Sequence, residues 1–218
     1  MAYTHLNWQK LSDTRMQEIF RHADEYLHDA YGMFKGLPPA GGDGGGGNFS
    51  IVLVLLCVID GLAREVWPTN AVEKDQGKRF KQLLRTKIHW GPEGRGKWFG
   101  KGIAADQLYT EFRNPLVHEL AMERSRATSR PKGYIEPVVG KWGSLPEQLR
   151  DIAQIDDLEK WDDAWPVLAE SKDEQGNLRL KLTAAALYWA VKQLAVKMLH
   201  DIRIGKSRKS ESEKSGSE

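Results

Sequence analysis

Arg113, Asn114 and His118 place a permanent cation, an amide and a titratable imidazole within six residues, a set suited to an anionic phosphodiester. A guanidinium presents a planar fork of donors to phosphate oxygens, a geometry that lysine lacks. Spacing alone carries little weight. With 14 Arg and 6 His in 218 residues, an Arg-x4-His arises by chance about 0.4 times per chain. The neighbours add more. Asn is among the best N-cap residues and Pro suits the first helical position, so Asn114-Pro115 predicts a helix start. Arg113 then precedes the cap, and His118 falls in or just after the first turn. Free N–H groups and partial positive charge at such a terminus attract phosphate and disfavour imidazolium, so a neutral His118 could act as a general base. A surface cation and a hydrogen-bonded structural histidine fit the same spacing.

Residues 108–120, Leu-Tyr-Thr-Glu-Phe-Arg-Asn-Pro-Leu-Val-His-Glu-Leu, resemble the signature helix of the HEPN superfamily of small helical-bundle proteins. That signature is Arg-x4-6-His, commonly with a polar residue, often Asn, directly after the Arg; Arg113, Asn114 and His118 match it position by position. Within the superfamily the chain is most similar to bacterial members carrying an fRNxlvH sequence, and the resemblance spans residues 12–125. Many members are metal-independent endoribonucleases of toxin–antitoxin, abortive-infection and CRISPR systems; others have lost catalysis and bind nucleotide, RNA or a partner protein. The resemblance therefore implies cleavage of single-stranded RNA by attack of a ribose 2′-OH on its own phosphate. His118 would be the base, Arg113 the phosphate clamp and Asn114 a positioning group or cap, with no metal or cofactor. It also implies a homodimer with a composite active site and a possible antitoxin or defence-system partner. Some relatives carry a modifiable tyrosine two positions after the histidine; Leu120 occupies that position here.

Composition points to a cytoplasmic globular protein. A single cysteine, Cys57, excludes an intramolecular disulfide framework and multi-cysteine zinc, and its place in an apolar run predicts a core residue. No cationic start and apolar core of a signal peptide is visible at the N-terminus. The strongest apolar run, 51–59, is too short to cross a bilayer.

Periodicity predicts a mainly all-α, up-and-down bundle with a kinked motif helix. Apolar residues at three- and four-residue steps mark a first helix over 13–34, with Thr14-x-x-Gln17 as a capping box. Residues 36–47, with Pro38-Pro39 and four consecutive glycines, read as a flexible surface loop, after which Asn48 could cap an apolar central helix over 49–67. A basic helix follows over 74–88, then the motif segment over 104–112 and 115–125. Residues 127–182 form an appendage holding an acidic helical stretch, 146–169, and two candidate strands, 134–139 and 178–182, which could make a short hairpin. A closing helix over 183–204 completes a single domain, 1–204, and the Ser-, Lys- and Glu-rich tail 205–218 is expected to be disordered.

The formal net charge of +2 conceals segregation. Cations crowd residues 74–101, and Arg124, Arg126, Arg130 and Lys132 follow the motif, so both flanks of the site read as a groove for a phosphate backbone or as solvated helix faces. The glycine-rich loop around Arg95, Lys97 and Trp98 copies part of a P-loop, but Trp98 stands where a magnesium-binding Ser/Thr belongs, which argues against an ATPase. That loop could stack a base on Trp90, Trp98 or Phe99 while Arg95 and Lys97 hold phosphates, or the tryptophans could simply anchor it. Two carboxylates complete the candidates. Asp60 sits in the apolar helix and needs a hydrogen-bond partner, for which Arg113 is a candidate, unless it lies at a helix end in water; Glu119 adjoins His118 and could orient a ligand or be an exposed helix-start acid.

Overall fold

The computed structural model describes residues 3–36, 45–65, 75–88, 90, 101–113, 136–140, 167–172, 176 and 178–214. These build a predominantly helical bundle: α1 (Thr14–Gly36), α2 (Gly45–Glu65), α3 (Gln76–Lys87), α4 (Lys101–Gln107) running into a π-helical turn (Leu108–Arg113), and α5 (Ala184–Lys214). The apolar α2 is central, packing against α1, α3 and α5. Ile51, Leu55, Leu56, Ile59 and Leu62 of α2 are fully buried against Phe20 and Leu27 of α1, Phe80 and Leu83 of α3, and Tyr188 and Trp189 of α5. A helix buried on most sides must be apolar around most of its circumference, which is why its sequence shows a run rather than a stripe.

Helix ends depart from the sequence reading in instructive ways. Asp13, not Thr14, caps α1: its Oδ1 accepts from Met16 N at 3.1 Å, while the Gln17 side chain donates to the Leu11 carbonyl at 2.5 Å. Helix α2 begins at Gly45, so part of the glycine run is helical and Asn48 lies inside the helix rather than capping it. Asp75 caps α3 by accepting from Gly77 N and Lys78 N. Helix α5 runs to Lys214, a correction to the disordered tail expected from 205. An existing helix propagates without a fresh nucleation cost, and the Lys, Arg and Glu residues of that segment are good helix formers.

The appendage contains a three-stranded sheet in place of a hairpin of the two expected strands. Its strands are β1 (Glu136–Gly140), β2 (Leu168–Lys172) and β3 (Leu178–Thr183), in the order β1-β3-β2. The two expected strands, β1 and β3, are neighbours but run parallel, with Val138 opposite Lys181; the hairpin is β2 with β3, antiparallel, with Glu170 opposite Leu180. Between β2 and β3, Gly176 has φ +83°, in the left-handed region that glycine enters without penalty. Strand β3 runs directly into α5, and buried Leu180 and Leu182 tie the sheet to the core. The carbonyl of Trp90 accepts from Val167 N at 3.3 Å, and its indole donates to the Leu84 carbonyl at 3.2 Å. Trp90 is thus an anchor for its segment.

The first described residues are strapped over the bundle. Asp24, buried on α1, accepts from Tyr3 Oη at 2.7 Å, His5 Nδ1 at 2.8 Å and Leu6 N at 2.9 Å. Burial, then the hydrogen bond to Asp24, pushes the Tyr3 phenol well above its usual range. From α5, buried Lys192 donates to the Thr4 carbonyl at 2.8 Å and lies 4.2 Å from the centre of the Tyr3 ring, while Arg203 donates to the Asn7 carbonyl.

Candidate functional site

Among the described residues Arg113 is one of three buried charged ones, with Asp24 and Lys192, at 6 % exposure. The local backbone accounts for this. In α-helical geometry the five steps from Leu108 to Arg113 overshoot a full turn by about 140°, which would put the arginine on a different face from the buried Leu108. The i→i+5 bonding of a π-helix brings positions five apart nearly into line, so Leu108, Phe112 and Arg113 are all buried.

A carboxylate on α2 meets the guanidinium. Arg113 Nη2 donates to Asp60 Oδ2 at 2.8 Å, and Gln76 Nε2, at the start of α3, donates to the same oxygen at 2.7 Å. The side chains of the pair are 7 % and 20 % exposed, so it lies at the edge of the core. Asp60 Oδ1 is buried with no hydrogen-bond donor upon it among the described residues. Tyr109, four residues before Arg113, places its ring centre 5.3 Å from the guanidinium carbon and 5.5 Å from the Phe80 ring. Room for Tyr109 comes from Gly77: a Cβ there would run into the tyrosine hydroxyl and lie 2.7 Å from Cζ. Two titrations respond to this neighbourhood. Desolvation raises the Glu111 carboxyl. Desolvation, then the negative charge of Asp60, raises the Cys57 thiol, with Arg113 pulling the other way.

Of the sequence candidates, the structure therefore joins Asp60 to Arg113. Asn114, His118 and Glu119 lie outside the described residues, as do Arg95, Lys97, Trp98, Arg124 and Arg126. Gln76, Gly77 and Tyr109 were not singled out by the sequence; only Tyr109, four residues before Arg113, had a spacing that could have flagged it. Cys57 is exposed, a correction to the expected core cysteine. It shares a helical face with Gly61 and Arg64, both exposed, so its apolar neighbours in sequence face elsewhere.

The basic α3 also differs from a groove of available cations. Lys81 and Arg85 pair with Asp106 at 3.2 and 2.8 Å, Lys87 pairs with Asp201 at 2.8 Å, and Arg79 donates to the Arg64 carbonyl. Desolvation pushes the Asp106 carboxyl up, but the hydrogen bonds from Lys81 and Arg85 outweigh it and hold the group below its usual range. An apolar groove between α1 and α2, flanked by Tyr26 and Gly61, offers no competing chemistry: its polar residues, His22 and Glu65, are engaged by Glu25 and by Arg15 and Arg64.

Among the described residues no group of three or more His, Cys, Asp or Glu side chains is placed to hold a metal ion, and no helix is long and apolar enough to cross a membrane. The chain matches no family model, no curated protein and no solved structure. Any functional reading therefore rests on the residues themselves. The Asp60–Arg113 centre fixes a guanidinium in one orientation and offsets its positive charge with a carboxylate.

Proposed function

We propose that the protein is a HEPN-type, metal-independent endoribonuclease acting on single-stranded RNA. The observation that carries this reading is the setting of Arg113. It is a buried arginine, oriented by Asp60 and faced by Tyr109, at the last turn before Asn114-Pro115 and His118, and this is unlike a solvated surface cation. In the reaction, the ribose 2′-oxygen attacks the adjacent phosphorus and the P–O bond to the 5′-oxygen breaks. A base removes the 2′-OH proton and an acid protonates the departing 5′-oxygen, leaving a 2′,3′-cyclic phosphate and a 5′-OH. His118 takes the base role. Arg113 stabilises the negative charge that grows on the phosphoryl oxygens. A two-fold dimer bringing two motif segments together would supply a second histidine as the acid. Such an enzyme would work in the cytoplasm, in a toxin–antitoxin or phage-defence setting with a partner that restrains it.

The ion pair favours a second reading as well. An arginine already neutralised by Asp60 suits a catalytically inactive module that binds nucleotide, RNA or a partner protein. One experiment separates the two. Wild type, His118→Ala and Arg113→Ala are incubated with labelled single-stranded RNA in EDTA, and products and their end groups are scored. Cyclic-phosphate ends made by wild type and lost in both variants establish the nuclease. Binding without cleavage by wild type and His118→Ala, weakened in Arg113→Ala, moves the reading to the module.

A further inference from the structure

We propose that Asp60, braced by Gln76, is a positioning residue for Arg113 that also restrains its charge, so that removing the carboxylate's charge tightens RNA binding while slowing cleavage. This rests on the reading of Arg113 as a phosphodiester clamp. Three observations point to it. First, the carboxylate oxygen facing Arg113 is held from two sides, by Nη2 at 2.8 Å and by Gln76 at 2.7 Å, so the guanidinium meets a fixed acceptor and not a swinging side chain. Second, Tyr109 lies against the cation at 5.3 Å and is itself wedged over Gly77, so the arginine is confined by a ring as well as by a charge. Third, the π turn spends regular helical geometry to bring Arg113 to this place, an arrangement that surface solvation would not require.

The two effects have opposite signs for a physical reason. In the ground state a phosphate competes with Asp60 for one cation, so neutralising Asp60 favours binding. In the transition state, donors help only when they are already aimed at the developing charge, and a loosened guanidinium loses that aim. Asp60→Asn is a clean perturbation. Its amide oxygen can keep the acceptor position of Oδ2, and its NH2 falls where Oδ1 has no described donor.

The test measures binding and single-turnover cleavage separately, on the full chain with labelled single-stranded RNA in EDTA. Asp60→Asn should bind RNA severalfold tighter and cleave it, at saturating protein, roughly tenfold or more slowly, in line with the cost of a misplaced group. Gln76→Ala, which leaves both charges in place, should slow saturated cleavage about threefold with unchanged affinity, and keeps the idea testable should Asp60→Asn not fold. Alkylation of Cys57 gives a readout independent of RNA: it should speed up in Asp60→Asn of native circular dichroism, since one of the influences raising the thiol is gone. Equal cleavage by wild type and Asp60→Asn, or binding and rate falling together in a folded variant, overturns the inference while leaving the nuclease standing. If wild type binds RNA without cutting it, the nuclease reading fails and affinity alone decides: tighter binding by Asp60→Asn supports the restraint, equal or weaker binding refutes it. If wild type neither binds nor cuts, or Arg113→Ala behaves as wild type, reading and inference fall together.

Discussion

The Asp60–Arg113 pair makes a quantitative prediction about stability that needs no knowledge of a substrate. With 2.8 Å between nitrogen and oxygen, the charge centres lie roughly 4 Å apart, worth about 4 kcal/mol at an effective dielectric of 20. Asp60 keeps 20 % of its side-chain exposure, so water reclaims part of that, and fully buried pairs mark the upper limit: removing one partner there costs about 3–5 kcal/mol. Exposed pairs mark the lower, at about 0.2–1 kcal/mol. We expect about 3 kcal/mol lost in Asp60→Asn, where Arg113 loses its Asp60 counter-charge, and a coupling of about 2 kcal/mol in the cycle completed by Arg113→Met and the double variant. Methionine retains much of the arginine stem, so the cycle isolates charge from packing. Urea unfolding followed by circular dichroism reads this as a midpoint shift of about 1 M or more for the single variant. A coupling below about 0.5 kcal/mol would place the pair in the surface class and refute the argument that burial gives Arg113 its character.

Gly77→Ala should destabilise the chain by about 1–2 kcal/mol, although an exposed helical Gly→Ala change normally stabilises by about 1 kcal/mol, because the new methyl group must displace the Tyr109 ring. Thermal unfolding checks this; an ordinary stabilisation would mean the ring moves aside freely. Glu111→Gln tests a pH dependence. Burial raises this carboxyl above 4.5 in the folded chain, so between the unfolded and folded pKa values the native state holds the extra proton and wild-type stability falls as pH rises through that interval. The Gln variant should therefore be the more stable protein at pH 7 and lose its advantage below pH 4; an advantage that persists in acid would assign the effect to packing.

How far the sequence could be read depended on the distance over which each feature is decided. The stripes of α1 and α3 are local, and Phe20, Leu27, Phe80 and Leu83 occupy the positions that helical spacing assigns to a core. The partner of Asp60 was legible as a question, since an acid in an apolar helix requires one, and the answer came from a residue 53 positions away. Gln76 was not legible, because nothing in its neighbourhood marks it as facing α2. Strand β2 was missed for a compositional reason: Leu-Ala-Glu-Ser-Lys has no β-branched residue, and only pairing with β3 makes it a strand. The basic segment stayed open between a groove and solvated helix faces, because charge counting along the chain sees Lys81, Arg85 and Lys87 but not Asp106 and Asp201 brought opposite them by the fold.

The strap over the bundle has a consequence for how the chain is made. Thr4 is held by a lysine 188 residues further on, and Asn7 by an arginine 196 residues further on. At a synthesis rate of about 5–20 residues per second, those side chains leave the ribosome roughly 10–40 seconds after the segment they secure. During that interval α1 can form and Asp24 can gather Tyr3, His5 and Leu6, but the face that receives Tyr188 and Lys192 stays uncovered. The nascent bundle therefore waits, with apolar surface open, for its final helix, and α5 works as the clasp that closes it.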